Sequence, residues 1–238
     1  MPSPEPALIF EDESLLGVGK PAGWHVFPGA AKPVLWEWLL AQRPGLAGVG
    51  PARQPAFVHR LDLGTSGVIL AACTPRTYAP LRQSFKDGVV EKDYLVLAEG
   101  ALESPKTIQL PLGARYRRSK RIQVGSAGKN LRWSREAHTE VWPLAKVREW
   151  TLCRVRIRTG IRHQIRAHLA AVGHPVAGDK AYGARTGADG YPFLHAWRLA
   201  LPHPGTGEPW VCRCPLPEDR VAFLAHAGLA GGWAEMLP

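Results

Sequence analysis

Phe57-Val58-His59-Arg60-Leu61-Asp62-Leu63-Gly64-Thr65-Ser66-Gly67-Val68-Ile69-Leu70 is the most informative stretch of this chain. It places one carboxylate, Asp62, in a polar turn between two apolar runs that are typical of β-structure. The turn residues after it supply unusual backbone conformations, hydroxyl groups and close backbone approach. Asp62 is therefore held at the edge of a core, where a nucleophile would sit. An aspartate before a turn glycine also commonly does no more than cap the turn with an Asx-type hydrogen bond.

The composition limits the class of protein and of partner. The chain has 238 residues, of which 45% are hydrophobic, and this is enough for a packed core. Lys and Arg number 30 against 20 for Asp and Glu, giving a formal charge of +10 at pH 7. This excess favours a polyanionic partner, with nucleic acid as the leading candidate, over a small neutral substrate. A generally basic surface is the alternative that charge alone leaves open.

Neither a membrane segment nor a metal pattern is evident. Residues 1–6 have no basic n-region, and no later run has the length of a membrane span, so we expect a cytoplasmic protein with no membrane partner. The cysteines match neither a paired zinc motif nor a dense disulfide framework. Cys212 and Cys214 face the same way on a predicted strand, which favours packing over metal binding. We expect no metal site.

Hydrophobic periodicity predicts strands alternating with short helices. A predicted helix over 161–172 carries Ile161, Ile165 and Leu169 on one side. Arg162 and Arg166 share another side, four residues apart, where they could converge on one anion. Further helices are predicted over 34–42 and 77–86, and strands over 7–19 (with a turn at 11–14), 89–97, 137–141, 151–159, 193–201 and 210–214.

Residues 112–129, here called the basic arm, combine weak apolar periodicity with many cations and one aromatic residue, Tyr116. Such a segment can grip phosphates and stack a base. A solvated hairpin face is the alternative. The candidate RNA-binding cations of the basic arm are Arg115, Arg117, Arg118, Lys120 and Arg121.

Five motifs in order resemble the RluA family of large-ribosomal-RNA and tRNA pseudouridine synthases. They cover about residues 7–225, and the block around Asp62 is the most specific of them. The motifs are Lys20-Pro21-Ala22-Gly23, His59-Arg60-Leu61-Asp62 with Thr65-Ser66-Gly67, Glu91-Lys92-Asp93-Tyr94-Leu95-Val96-Leu97-Ala98-Glu99-Gly100, Thr159-Gly160 with His163-Gln164-Ile165-Arg166-Ala167-His168, and Gly178-Asp179-Lys180-Ala181-Tyr182-Gly183.

The resemblance implies an α+β fold, with a mixed, mainly antiparallel sheet and flanking helices, forming a single catalytic domain over 1–238. It also implies a reaction that needs no cofactor. A uridine in a stem-loop of ribosomal or transfer RNA is detached from its ribose at N1, turned, and rejoined through C5. We expect a monomer, since catalytic-domain-only members need no partner to complete the site. Because the first family-like strand begins near Ala7, we expect the catalytic domain alone, without the family's small N-terminal RNA-binding module.

The resemblance also assigns three catalytic residues. Asp62 matches the catalytic aspartate, which could attack C1′, act as a base toward a glycal, or add to C6 of the base, and these three paths stay open. Tyr94 matches the tyrosine that packs on the target base and helps remove the C5 proton; without the motif it would be an ordinary strand tyrosine. Arg166 matches the arginine that pairs with the aspartate and keeps it ionised.

RNA contact is expected from Lys20, His59, Arg60 and Arg162 as well as from the basic arm. Arg60 matches the residue that inserts toward the space left by a flipped nucleotide, and His59 is expected to support the turn. One position departs from the family pattern: Ile161 follows Thr159-Gly160, where the family has arginine, and Arg162 comes one position later. Because one residue turns a helix by about 100 degrees, we expect this departure to affect substrate affinity or loop anchoring more than catalysis.

Two other classes of function compete with the enzyme. A catalytically inactive RNA-binding or RNA-chaperone protein on the same fold would use the same basic surface. Such a binder gains nothing from an arginine-paired carboxylate facing phosphates. A hydrolase that uses Asp62 with a triad histidine lacks the Gly-x-Ser-x-Gly elbow. We therefore predict an RNA pseudouridine synthase.

Overall fold

The computed structural model of the chain describes residues 4–29, 31, 33–51, 56–116, 119, 121–125, 131–185, 190–229 and 231–237. The chain groups into two compact units. The first consists of residues 1–92 and 195–216, and the second of residues 93–194 and 217–238. The sequence-based expectation of a single catalytic domain over 1–238 stays a prediction.

The predicted strands and short helices occur in the predicted order, whereas four short strands over 106–108, 112–114, 123–124 and 133–135 and a helix over 218–226 were not predicted. The strands are β1 (Ala7–Glu11), β2 (Leu15–Lys20), β3 (Ser66–Ala72), β4 (Glu91–Glu99), β5 (Lys106–Ile108), β6 (Leu112–Ala114), β7 (Gln123–Val124), β8 (Trp133–Arg135), β9 (Thr139–Val147), β10 (Trp150–Ile157), β11 (Leu194–Pro202) and β12 (Pro209–Arg213). The helices are α1 (Leu35–Gln42), α2 (Pro75–Lys86), α3 (Gln164–Ala171) and α4 (Glu218–His226). Within the described ranges, no helix is long and apolar enough to cross a membrane.

The first unit is built on a mixed sheet with the strand order β1-β2-β3-β11, and β12 pairs with β11. Strand β3 is buried at all seven positions, as expected for a continuous apolar run in a sheet centre. It pairs with β2 in the antiparallel and with β11 in the parallel direction. Gly67 makes the second pairing possible, because its φ is +118° and a Cβ there would lie 2.2 Å from the Ala196 carbonyl oxygen.

The apolar run before Asp62 is not a regular strand. The sequence predicts β-structure on both sides of the turn, but the first run contributes one antiparallel bridge, between Phe57 and Ala71. The Val58 amide also donates to the Leu70 carbonyl at 3.2 Å. This short pairing holds the entry to the turn beside β3, and the chain then turns away through Arg60 instead of extending the ladder.

The second unit contains the strand order β4-β10-β9-β5 and a separate three-stranded antiparallel sheet, β7-β6-β8. Leu95 and Leu97 of β4 and Leu152 and Val155 of β10 are fully buried and form part of its core. On α4, the ring of Phe223 lies 5.5 Å from that of Trp150. The basic arm begins in the small three-stranded sheet, so it is part of folded structure where the structure describes it.

Helix α3 begins three residues later than the periodicity predicts. His163 has the left-handed backbone angles φ 56° and ψ 19°, and the first helical residue is Gln164. Ile161 and Arg162 therefore lie before the helix, and the expected helical face shared by Arg162 and Arg166 does not exist. The helix prediction failed there because polar hydrogen bonds of Gln164, described below, override an apolar spacing that continues through Ile161.

Two turns of the first unit are joined by Asp12. Its carboxylate accepts hydrogen bonds from the amides of Ser14 and Leu15 at 2.7 and 2.9 Å. Nε2 of His203, in the turn between β11 and β12, donates to it at 2.8 Å, because Nδ1 of His203 accepts from backbone amides. Partial burial raises the pKa of Asp12, but the Leu15, Ser14 and His203 hydrogen bonds outweigh it, and the pKa lies below the usual 3.8.

Replacing Asp12 with Asn should lower the free energy of unfolding by about 1 kcal/mol at pH 7, since solvent screens part of the lost interaction. A carboxylate with a lowered folded-state pKa contributes stability above its usual pKa and loses it as the pH falls through the lowered value. The difference between wild type and Asp12→Asn should therefore shrink as the pH falls below about 4. Urea unfolding across this range measures it, with exposed Glu13→Gln as control. A difference that does not change with pH would contradict the assignment.

Candidate active site

Two loops of the first unit are joined by one buried ammonium group. Lys20 is 1% exposed, and its Nζ donates to the carbonyls of Trp24, Pro21 and Leu63 at 2.8, 3.0 and 3.3 Å. The amide of Gly23 donates to the same Leu63 carbonyl at 2.8 Å. The loop after β2 is thereby fixed against the turn that carries Asp62.

The charge of Lys20 depends on this burial. Burial lowers the pKa of Lys20 from the usual 10.5 to about 7, and the negative charge of Asp62 acts in the opposite direction. Asp62 is thus close enough to interact electrostatically with the ammonium. Because a neutral amine has only two N–H groups, the three carbonyl contacts are complete only in the protonated form.

Asp62 itself is half-buried in a turn closed by a hydrogen bond from the Thr65 amide to the Asp62 carbonyl at 3.1 Å. Its neighbours on either side differ in exposure. Leu61 is buried, whereas Leu63 is 38% exposed. Arg60 is exposed, in keeping with a residue that reaches outward from the turn. A half-buried carboxylate on a fixed turn can meet a substrate without first being uncovered.

His59 supports the Asp62 turn through contacts with β3 and α2. Its Nε2 accepts from the Leu70 amide at 2.9 Å, and its ring stacks on Phe85 with centroids 4.3 Å apart. Burial, with a smaller contribution from the charges of Lys92 and Arg82, lowers the pKa of His59 to about 3. The imidazole is therefore neutral near pH 7, with its hydrogen on Nδ1, and its position agrees with the expected support of the turn.

Lys20 and His59 do not have the environment of phosphate ligands. We expected both to contact RNA, but the ammonium of Lys20 is enclosed by backbone carbonyls and His59 is uncharged. A phosphate contact needs an accessible donor and gains most from a positive charge. Their geometry instead indicates a role in holding the Asp62 turn.

Arg166, on α3 of the second unit, is held by Asp179. Its Nε and Nη2 donate to the two carboxylate oxygens at 2.6 and 2.9 Å, and Asp179 is 1% exposed. The guanidinium carbon also lies 5.0 Å from the ring centroid of Tyr182. A bidentate contact and a ring together fix both the position and the plane of the guanidinium.

The start of α3 is anchored by buried Gln164. Its Oε1 accepts from the Thr159 hydroxyl at 2.8 Å and the Ile161 amide at 3.2 Å, and its Nε2 donates to the His138 carbonyl at 2.9 Å. Gln164 is 2% exposed. Because this side chain uses both ends of its amide, it fixes the segment 159–164 and hence the direction in which Arg166 leaves the helix.

Arg162 and Ile161 have separate roles at this segment. Arg162 is exposed and donates to the Ser119 carbonyl of the basic arm, so it does not join Arg166 on one anion as expected. Ile161 packs against the apolar cluster under the three-stranded sheet, which includes Leu112 and Ile122. The departure from the family pattern therefore places an apolar residue under the basic arm and a cation against its backbone.

Tyr94 lies on β4 and is 9% exposed. The next side chain toward the start of the strand, Asp93, is fully buried and receives two hydrogen bonds from Arg156, both at 2.8 Å. Because successive residues of a strand point to opposite faces, this ion pair occupies the face opposite Tyr94. The pair fixes the strand that presents the tyrosine.

The basic arm is described only in part. Arg115 lies 5.5 Å from the ring centroid of Tyr116, which is 63% exposed, and Arg121 is exposed. The other three predicted contacts, Arg117, Arg118 and Lys120, lie outside the described residues. The described part presents cations and an accessible aromatic face, which are the groups that phosphates and bases contact.

Three features of the site were missed by sequence reasoning. Asp179 and Tyr182 stand in a quoted motif, but no role was assigned to them, and the structure brings both onto Arg166. Lys20 was assigned to RNA instead of to the backbone carbonyls that surround it.

Within the described ranges, no three His, Cys, Asp or Glu side chains group in a way that could hold a metal ion.

Comparison with known proteins identifies the family of the chain. The sequence model of the RNA pseudouridylate synthase family matches residues 15–171, which include Asp62, Tyr94 and Arg166. The chain belongs to the RNA pseudouridylate synthase family. This confirms the predicted resemblance, and the activity of the family is the isomerisation of uridine to pseudouridine in RNA.

Similar full-length proteins and structures agree with this placement. The chain is 35% identical over 229 residues to ribosomal large subunit pseudouridine synthase D of Nitrosomonas europaea, covering 91% of this chain and 64% of that protein. It is 34% identical to an uncharacterised RNA pseudouridine synthase of Aquifex aeolicus, covering 92% and 75%. The solved human RNA pseudouridylate synthase domain containing 1 has a TM-score of 0.73 at 24% identity, covering 90% of this chain and 84% of that one. This likeness confirms the α+β fold class.

Replacing Lys20 with Met should lower the free energy of unfolding by about 1–3 kcal/mol at pH 7, because three backbone carbonyls lose their donor. Between the lowered pKa of about 7 and the usual 10.5, the unfolded chain binds more protons at Lys20 than the folded chain. The stability of wild type relative to Lys20→Met should therefore rise with pH through this window.

Urea unfolding of both proteins at several pH values in this window measures the effect. The exposed Lys86→Met on α2 is the matched control and should show no such rise. A wild-type advantage that stays constant or falls with increasing pH would show that the Lys20 ammonium is not disfavoured by its surroundings.

Proposed function

We propose that this chain converts uridine to pseudouridine in ribosomal RNA, with Asp62 as the catalytic carboxylate. The observation that carries the proposal is a carboxylate held on a rigid turn, whose backbone is tied by Lys20, within the part of the chain that matches the family. The relatives from Nitrosomonas europaea and Pseudomonas aeruginosa are named ribosomal large subunit pseudouridine synthase D. Their names support ribosomal RNA over transfer RNA as the substrate.

The proposed reaction is an isomerisation that balances without a cofactor. The bond between N1 and C1′ breaks, a bond between C5 and C1′ forms, the proton leaves C5, and N1 gains a proton. Asp62 could attack C1′, remove a proton to give a glycal, or add to C6. All three need the carboxylate in its ionised form.

We propose that Arg166 is the counter-ion of Asp62, as the family resemblance implies. Its bidentate contact with Asp179 uses Nε and Nη2. A guanidinium carries five N–H donors, so one that is held by a first carboxylate can serve a second. Asp179 would then hold Arg166 in place before the substrate arrives, which avoids reorganisation during the reaction.

Tyr94 and Arg60 are proposed to handle the flipped nucleotide. Tyr94 stands near the start of β4 and is nearly buried, as suits a ring that covers one face of a base. Exposed Arg60 would insert where the nucleotide left its stack, since a uridine in a stem-loop must be extruded before C1′ and C5 can be reached. The basic arm would hold the phosphates of that stem-loop. We propose that the protein works as a cytoplasmic monomer.

Replacing Asp62 with Asn should abolish pseudouridine formation while RNA affinity stays within about twofold, because the side-chain shape is kept and only the ionisable group is lost. Release of tritium from RNA labelled at uridine C5 measures turnover, and filter binding measures affinity. Asp87→Asn, at the exposed end of α2, is the matched control and should keep wild-type activity. Turnover by Asp62→Asn would falsify the catalytic role, whereas an inactive wild type with tight RNA binding would favour the RNA-binding alternative.

Replacing the five cations of the basic arm with Ala should weaken RNA binding and flatten its salt dependence. Each lost phosphate contact should reduce the slope of log affinity against log salt by about 0.7–0.9. Binding titrations at several salt concentrations measure this slope. The control is Arg76→Gln with Lys86→Gln on α2, which removes exposed cations elsewhere. An unchanged slope would identify the basic arm as a solvated hairpin face.

A further inference from the structure

The hydroxyl of Tyr182 joins the basic arm to the segment before α3. It accepts a hydrogen bond from the Ile122 amide of the basic arm at 2.8 Å, and it lies 2.9 Å from Nδ1 of His163. Since Ile122 N–H is the donor in the first contact, the phenol hydrogen is available for the second. Arg162 makes a second link between the same two segments through the Ser119 carbonyl.

The ring of the same tyrosine supports Arg166. The Arg166 guanidinium lies over the Tyr182 ring. Asp179, which accepts hydrogen bonds from the guanidinium, is on the same short turn as Tyr182. The Tyr182 amide closes this turn on the Asp179 carbonyl at 3.0 Å. One turn therefore carries the carboxylate and the ring that place Arg166 and the hydroxyl that holds the basic arm.

His163, the partner of this hydroxyl, has a strained backbone. Its φ of 56° is in the left-handed region, which favours glycine. A residue kept in such a conformation at a functional site indicates that its side chain has a role there. His163 lies three residues before Arg166 along the chain, and its side chain contacts the Tyr182 hydroxyl.

We propose that Tyr182 is a positioning residue that couples the basic arm to Arg166. When RNA binds the basic arm, Ile122 and Ser119 are held, and through the Tyr182 hydroxyl and Arg162 the segment leading into α3 is held with them. The ring of Tyr182 then keeps the guanidinium of Arg166 in its reactive orientation. This coupling rests on the roles proposed above for Arg166 and the basic arm.

Tyr182→Phe removes the hydroxyl and keeps the ring. Under single-turnover conditions at saturating RNA, we expect pseudouridine formation about tenfold slower, with RNA affinity within about twofold of wild type. Tyr191→Phe, an exposed tyrosine of the same unit, is the matched control and should keep the wild-type rate. A wild-type rate in Tyr182→Phe, or weaker binding with an unchanged rate, would overturn the coupling.

His163→Gly separates positioning from stability. Glycine accepts the left-handed backbone without strain, so the urea midpoint of unfolding should not fall. The rate should drop as in Tyr182→Phe, because His163→Gly removes the hydrogen bond between residue 163 and the Tyr182 hydroxyl, one of the two that Tyr182→Phe removes. A purely structural role would lower the midpoint and leave the saturated rate unchanged. That result would overturn the proposal.

A double-mutant cycle tests the link to the basic arm. Arg162→Ala should slow the saturated reaction in wild type but add little in Tyr182→Phe, because both changes release the same segment. Effects of the two substitutions on the rate that multiply in the double variant would overturn the coupling.

Asp62→Asn is measured in the same assay to separate this coupling from the proposed function. If Asp62→Asn is inactive while Tyr182→Phe has the wild-type rate, the coupling fails and the proposed function stands. If Asp62→Asn is active, the proposed function fails.

Discussion

The close approach of β3 and β11 is the constraint on which the first unit depends. The two backbones pair in the parallel direction at Ser66 and Gly67, and at the second position only a hydrogen atom fits against the Ala196 carbonyl. The turn of Asp62 ends where β3 begins, so the place of the carboxylate is set by this pairing. Ser66 adds a second tie, since its hydroxyl lies 2.9 Å from Nδ1 of His195, whose Nε2 donates to the Cys214 carbonyl at 3.0 Å.

Buried polar groups perform the same task in both units: they hold the backbone next to a candidate site residue. Lys20 joins the loop after β2 to the Asp62 turn, through two carbonyls of the loop and that of Leu63 in the turn, and Gln164 fixes the start of α3 ahead of Arg166. Each is costly to bury and is tolerated because every polar atom involved finds a partner. Pre-organisation of the backbone beside Asp62 and Arg166 is the benefit that offsets this cost.

Much of the fold was predictable because its signals are local. The apolar run of β3, the turn after β1 and the ends of α1 and α2 follow from residue periodicity and from turn residues, which need no distant partner. The start of α3 was not predictable in this way. An apolar residue at position 161 continues the helical spacing, but the helix begins only at Gln164. The Gln164 side chain accepts from the nearby Thr159 hydroxyl and donates to the carbonyl of His138, which lies 26 residues earlier in the chain. Periodicity carries no information about such partners.

The candidate site shows the same division. The sequence by itself determined the family and the reaction class and supplied Asp62, Tyr94 and Arg166 as candidate site residues, because motifs carry the order and type of side chains. Only the tertiary structure decided that Lys20 faces carbonyls instead of phosphates, that Asp179 and Tyr182 hold Arg166, and that Ile161 and Arg162 serve the basic arm. The physical reason is that a motif specifies a side chain and its chemistry, whereas its partner depends on which distant backbone the fold brings within hydrogen-bond distance.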